Sequence, residues 1–84
     1  MNNDIENLKK RLIYRSQYRG TKEMDKLIGS FVKSVINELD YTQLQLLNKL
    51  ISLEDEALIE IKKNKKKIKF IDSVIIDKFK NFQL

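Results

Sequence analysis

Apolar residues recur at steps of three and four through almost the whole chain. Over about residues 4–18, Ile5, Leu8 and Leu12 share one stripe with Ser16, while Arg11, Arg15 and Arg19 line a neighbouring one. This predicts a first helix, with Asn3 or Asp4 capping its start. Gly20 ends the pattern, and Thr21 follows at once as a good N-cap for a second helix over about 22–39. That helix carries Met24, Leu27, Ile28, Phe31, Val32, Val35, Ile36 and Leu39. So wide a stripe marks a central helix packed on more than one side. Glu23 and Asp25 fall in its first turn, where carboxylates favour the positive end of the helix dipole.

Three shorter patterns follow. Asp40-Tyr41-Thr42 reads as a connection, with Thr42 as the cap of a helix over about 43–52 that turns Leu44, Leu47, Leu50 and Ile51 inward. Ser52 or Glu54 starts a helix over about 54–62, with Ala57, Leu58 and Ile61 inward. A last helix covers about 68–81, with Ile68, Ile71, Val74, Ile75, Phe79 and Phe82 inward. No segment sustains a period of two. The prediction is an all-α fold, a small bundle of about five short helices forming a single domain over residues 1–84. Phe31, Phe70, Phe79 and Phe82 are assigned to its core.

Length narrows the function. A chain of 84 residues buries only about 60–65% of the surface exposed when unfolded, which leaves little room for an enclosed active site. There is no His and no Cys. Ser-His and Cys-His nucleophilic arrangements are therefore absent, and a zinc site lacks its usual ligands. The two glycines, Gly20 and Gly29, form no phosphate loop, and Glu54-Asp55-Glu56 lacks the alternating ligands of a calcium loop. The expectation is a protein that is not an enzyme and holds no metal. No stretch reaches the roughly 18–20 apolar residues needed to span a bilayer, and MNNDIENLKK has no apolar signal core. With no disulfide possible, the expected compartment is the cytoplasm.

Charge is unevenly placed. Residues 1–22 hold six bases and two acids, residues 23–61 three bases and eight acids, and residues 62–84 eight bases and two acids. Six of the last eight bases lie in Lys62-Lys63-Asn64-Lys65-Lys66-Lys67-Ile68-Lys69. Without that run the net charge of +5 falls to −1, so the basicity is local. The run reads as a solvated helix end or as a contact to nucleic acid. Only Phe70 is interleaved with it, which gives specific nucleic-acid recognition little support.

Arg19-Gly20-Thr21-Lys22-Glu23 is the candidate site. A plain helix cap accounts for Gly20, and a first-turn carboxylate for Glu23. The functional reading is a rigid corner that presents a guanidinium and a carboxylate to a partner. Tyr14 and Tyr18 beside Arg11 and Arg15 read either as the edge of the core or as an exposed aromatic–arginine strip suited to binding protein.

The segment Leu12-Ile13-Tyr14-Arg15-Ser16-Gln17-Tyr18-Arg19-Gly20-Thr21-Lys22-Glu23-Met24-Asp25 resembles the signature of the succinate dehydrogenase assembly factor 2 family, the flavinators, whose hallmark is an R-G-x-x-E motif after a basic helix. The resemblance extends over about residues 8–75. Glu54-Asp55-Glu56-Ala57-Leu58 sits where the family has an acidic turn. The chain departs from the pattern at Ile61, where an aromatic is common, and at Lys65-Lys66-Lys67, where Gly or Pro is common.

The resemblance implies an assembly factor that binds the flavoprotein subunit of succinate dehydrogenase, or of a related fumarate reductase, and promotes covalent attachment of FAD to a His of that subunit. FAD then belongs to the partner, with none held stably here, and the free chain is expected to be a monomer. Arg19, Gly20 and Glu23 would form the contact, with Tyr14, Arg15 and Asp25 as its rim. The alternative from a different class is a small basic nucleic-acid-binding module that uses Lys62–Lys69. Nothing in the residues argues for an antitoxin-like role.

Overall fold

In a computed structural model, residues 2–63 and 73–84 are described. They form α1 (Asn2–Ser16), α2 (Lys22–Val35), α3 (Tyr41–Ile51), α4 (Asp55–Lys62) and α5 (Ser73–Asn81), with no strand among the described residues. The all-α expectation holds, and the order of helices is the predicted one. The expected start of the last helix, with Ile68, Phe70 and Ile71, lies outside the described residues.

The helix ends differ from expectation, each for a local reason. Asn3 and Asp4 lie inside the first turn of α1, where the Asp4 carboxylate suits the dipole, and not at its cap. α1 stops at Ser16 instead of about 18. The buried Ser16 hydroxyl donates to the Ile13 carbonyl at 2.7 Å, and Gln17 N donates to Tyr14 O at 3.1 Å, which closes the last turn. α2 ends at Val35, and Glu38 N then donates to Val35 O at 2.9 Å in a tight turn that still buries Ile36 and Leu39.

Thr42 is not the cap of α3. Asp40 is: its Oδ1 accepts from Gln43 N at 2.8 Å while Gln43 Oε1 accepts from Asp40 N at 3.0 Å. This reciprocal capping box outcompetes a lone hydroxyl because it satisfies two backbone donors at once. Glu54 is the N-cap of α4, without a side-chain hydrogen bond.

One apolar core joins the described elements. Leu8 and Leu12 of α1, six residues of α2, four of α3, Leu58 and Ile61 of α4, and Ile75, Ile76 and Phe79 of α5 are buried. Val74, expected inward, is 47% exposed, because the buried stripe of α5 runs through Ile75, Ile76 and Phe79. Phe31 brings α2 onto α5, with ring centroids 5.1 Å from Phe79 and 5.5 Å from the half-buried Phe82. Gly29 lets α1 approach α2 closely: a Cβ there would meet Gln17 Cγ at 3.3 Å.

Lys62 closes the bundle at the far end. Its Nζ donates to the carbonyls of Phe79 and Phe82, each at 2.6 Å, and lies 5.0 Å from the centre of the Phe79 ring. It thus adds a donor to the Phe79 carbonyl, which also accepts from Phe82 N at 3.3 Å, and to the Phe82 carbonyl just past α5, at a helix end where the dipole favours a cation. Burial pushes this ammonium below the usual lysine range. Lys62→Met should lower stability by about 1–3 kcal/mol through loss of these charge-assisted hydrogen bonds. A urea titration showing no change in midpoint would remove this role for Lys62.

Candidate functional site

The corner between α1 and α2 is built from both sides of Gly20. Gly20 has φ +120°, a conformation that side-chain-bearing residues rarely adopt, and no atom lies within 4 Å of where its Cβ would be. After it, Thr21 caps α2, its Oγ1 accepting from Met24 N at 3.2 Å. Before it, the Arg19 backbone N–H donates to Asp25 Oδ1. The two ends of the turn are therefore tied across the glycine by residues of the first turns of α2.

Arg19 does not offer its guanidinium to solvent. Nε donates to Asp55 Oδ1 at 2.8 Å, and the two terminal nitrogens donate to the carbonyls of Ile51 and Leu53. Its side chain is 11% exposed. The fork anticipated for a partner is spent on the α3–α4 link of the same chain.

Glu23 is the opposite case. It is exposed on the first turn of α2 and makes no hydrogen bond or ion pair among the described residues. It is the acceptor that the corner leaves open.

Beside the corner, Tyr14 and Tyr18 are 65% and 68% exposed, with ring centroids 4.7 Å apart. This is the exposed strip and not the core edge, although Tyr18 lies beyond the end of α1. Arg15 donates to Asn48 Oδ1 and, at 2.9 Å, to Ser52 Oγ, both neutral groups, and it forms no ion pair among the described residues. Tyr14, Arg15, Tyr18, Arg19, Ile51 and Ser52 line an open hollow of about 370 Å³.

All six anticipated residues thus gather at one corner, in two groups. Tyr14, Arg15, Gly20 and Glu23 face outward, while Arg19 and Asp25 brace the turn from within. The residues that the sequence did not assign to the site are Asn48 on α3, Ser52 at its C-cap, and Asp55 on α4. Asp55 was visible only as the middle of an acidic turn. Among the described residues no cluster of three or more His, Cys, Asp or Glu could hold a metal ion, and no helix is long and apolar enough to cross a membrane. Of the lysine run, Lys62 is committed to α5 and Lys63 is exposed, while Lys65, Lys66, Lys67 and Lys69 lie outside the described residues.

Residues 10–83 match the family described as "Flavinator of succinate dehydrogenase". A curated relative from Dictyostelium discoideum, "Succinate dehydrogenase assembly factor 2, mitochondrial", is 42% identical over 52 residues, which cover 62% of this chain and 37% of the relative. The matched region is thus well under half of that relative's length. No solved structure matches the chain.

Proposed function

The chain belongs to the flavinator of succinate dehydrogenase family, and from that premise we propose that it binds the flavoprotein subunit of succinate dehydrogenase, or of a related fumarate reductase, and promotes covalent attachment of FAD to that subunit. The observation that carries this reading is the R-G-x-x-E corner itself. Gly20 holds a conformation that other residues rarely adopt, and the next acidic residue, Glu23, is exposed and has no partner among the described residues.

On this reading the His that accepts the flavin and the FAD itself both belong to the partner, and the absence of His from this chain agrees with that division of labour. The small protein contributes orientation. It holds the partner in a geometry where the flavin and the acceptor side chain meet, and such positioning is worth orders of magnitude in rate. Glu23 and the backbone at Gly20 make the contact, Tyr14 and Arg15 form the rim, and Arg19 and Asp25 keep the corner in shape. Exposed tyrosine suits this task because it offers large contact area with few torsions to freeze, and arginine is favoured with it at the centre of interfaces. The chain works as a monomer in the compartment where its partner is assembled, the cytoplasm in a bacterial setting.

Co-expression with the flavoprotein subunit from the same genome tests the reading. The expected result is a complex that survives pull-down and covalent flavin fluorescence on a denaturing gel that depends on this chain. Changing Lys63, Lys65, Lys66 and Lys67 to Gln should leave that fluorescence unchanged, whereas a nucleic-acid module would lose its binding. No complex and no dependence would overturn the proposal.

A further inference from the structure

The turn that carries Glu23 hinges on its most permissive residue. Glycine restricts its own φ less than any other residue, so local backbone preference does not set the angle between α1 and α2. The hydrogen bonds within the corner do not set it against the rest of the molecule either. Thr21 to Met24 and Asp25 to Arg19 both close inside residues 19–25.

Apolar packing holds α1 on α2, and Arg15 bonds α1 to Asn48 and Ser52; within the turn itself, the tie to the distant helices is Arg19, immediately before the glycine. Its donors reach Ile51, Leu53 and Asp55, which lie 32, 34 and 36 residues away in sequence. The placement suits both helix ends. The guanidinium meets the Ile51 carbonyl at the C-terminus of α3, where a cation is favoured, and Asp55 is the first residue of α4, where an anion is favoured. At 11% exposure the arginine side chain is shielded, so the pair is firmer than an ordinary surface ion pair. Glu54 and Glu56, on either side, are exposed and take no part.

We propose that Asp55, through Arg19, is a positioning residue for flavinylation: the clasp aims Glu23 at the partner without itself touching the partner. The proposal rests on the reading that Glu23 makes the productive contact. Misplacement of a group by about 1 Å can cost a hundredfold in rate, so a loosened clasp should act on rate more than on binding.

The test uses the full chain with the apo flavoprotein subunit and FAD, measuring the maximal flavinylation rate at saturating chain, the half-saturating concentration and the Tm. Asp55→Asn keeps the shape and removes the charge. It should lower the maximal rate about tenfold while moving half-saturation by less than about threefold. Asp55→Glu should restore most of the rate, and Glu54→Gln and Glu56→Gln should leave it unchanged. Ile61→Val, a core change on α4, supplies the stability control and should keep the full rate at a similar Tm. Arg19→Lys keeps the charge but loses the planar fork, and it should reproduce the loss if Asp55→Asn fails to fold.

A wild-type maximal rate for Asp55→Asn or Arg19→Lys overturns the proposal. So does a loss confined to half-saturation, an equal loss in Ile61→Val, or an equal loss in Glu56→Gln, which would make the acidic turn a direct contact. Glu23→Gln, run alongside, separates the two levels. If it keeps full rate, the reading of the corner fails; if it loses rate while Asp55→Asn does not, only the clasp fails.

Discussion

Glu23→Ala should remove covalent flavin from the partner subunit while the bundle stays folded. The stability side of this expectation is small. Glu23 is exposed, has no partner among the described residues, and contributes only through the dipole of α2. A first-turn carboxylate of this kind is worth roughly 0.3–1 kcal/mol, and the higher helix propensity of alanine offsets part of the loss. Against a total stability of order 5–15 kcal/mol for a domain, the fold persists. The functional side is large. Truncating one member of a charge pair buried in an interface costs about 2–5 kcal/mol, which is a factor of thirty or more in the equilibrium it supports. Thermal melting by circular dichroism and flavin fluorescence on a denaturing gel separate the two effects. Normal covalent flavin with Glu23→Ala would move the function off this corner.

The contrast between Glu23 and Arg19 shows what the sequence could and could not disclose. The motif puts both charges at one turn, four residues apart, and nothing in the spacing says which faces outward. The answer lies in contacts 32–36 residues away, at the end of α3 and the start of α4. Helical periodicity carries no information on such contacts. The same holds for Tyr14 and Tyr18. Their spacing of four fits a core edge as well as an exposed strip, and only the placement of α3 beside Arg15 leaves the rings outside.

Local signals served better where one mechanism acted alone. The wide apolar stripe of α2 is buried as expected, apart from the half-buried Leu27, and Thr21 caps the helix. Where two caps competed, at Asp40 and Thr42, the reciprocal bond with Gln43 decided, and a rule about single residues missed it. In the lysine run, composition hid a difference of role. Lys62 serves the carbonyls at the end of α5, and so it is not interchangeable with the lysines that follow it in sequence.

Gly20→Arg should likewise abolish flavinylation, and comparison with Gly20→Ala shows why. Any side chain at φ +120° strains the backbone, at a cost of roughly 1–3 kcal/mol. For a domain of this size each kcal/mol lowers Tm by about 4–8 °C, so both variants should melt earlier by similar amounts and remain folded at low temperature. Neither meets an internal clash, since no atom lies within 4 Å of the added Cβ. The open space around Gly20 is therefore not reserved for this chain's own packing. Alanine adds one methyl group to it and should retain part of the activity at low temperature. Arginine fills it with a long cation exposed at the surface that the partner's backbone must approach, and it should retain none at any temperature. Equal loss in the two variants would make the glycine's role purely conformational. Full activity in Gly20→Arg would place the contact elsewhere, because no partner could pack against Gly20 and ignore that side chain.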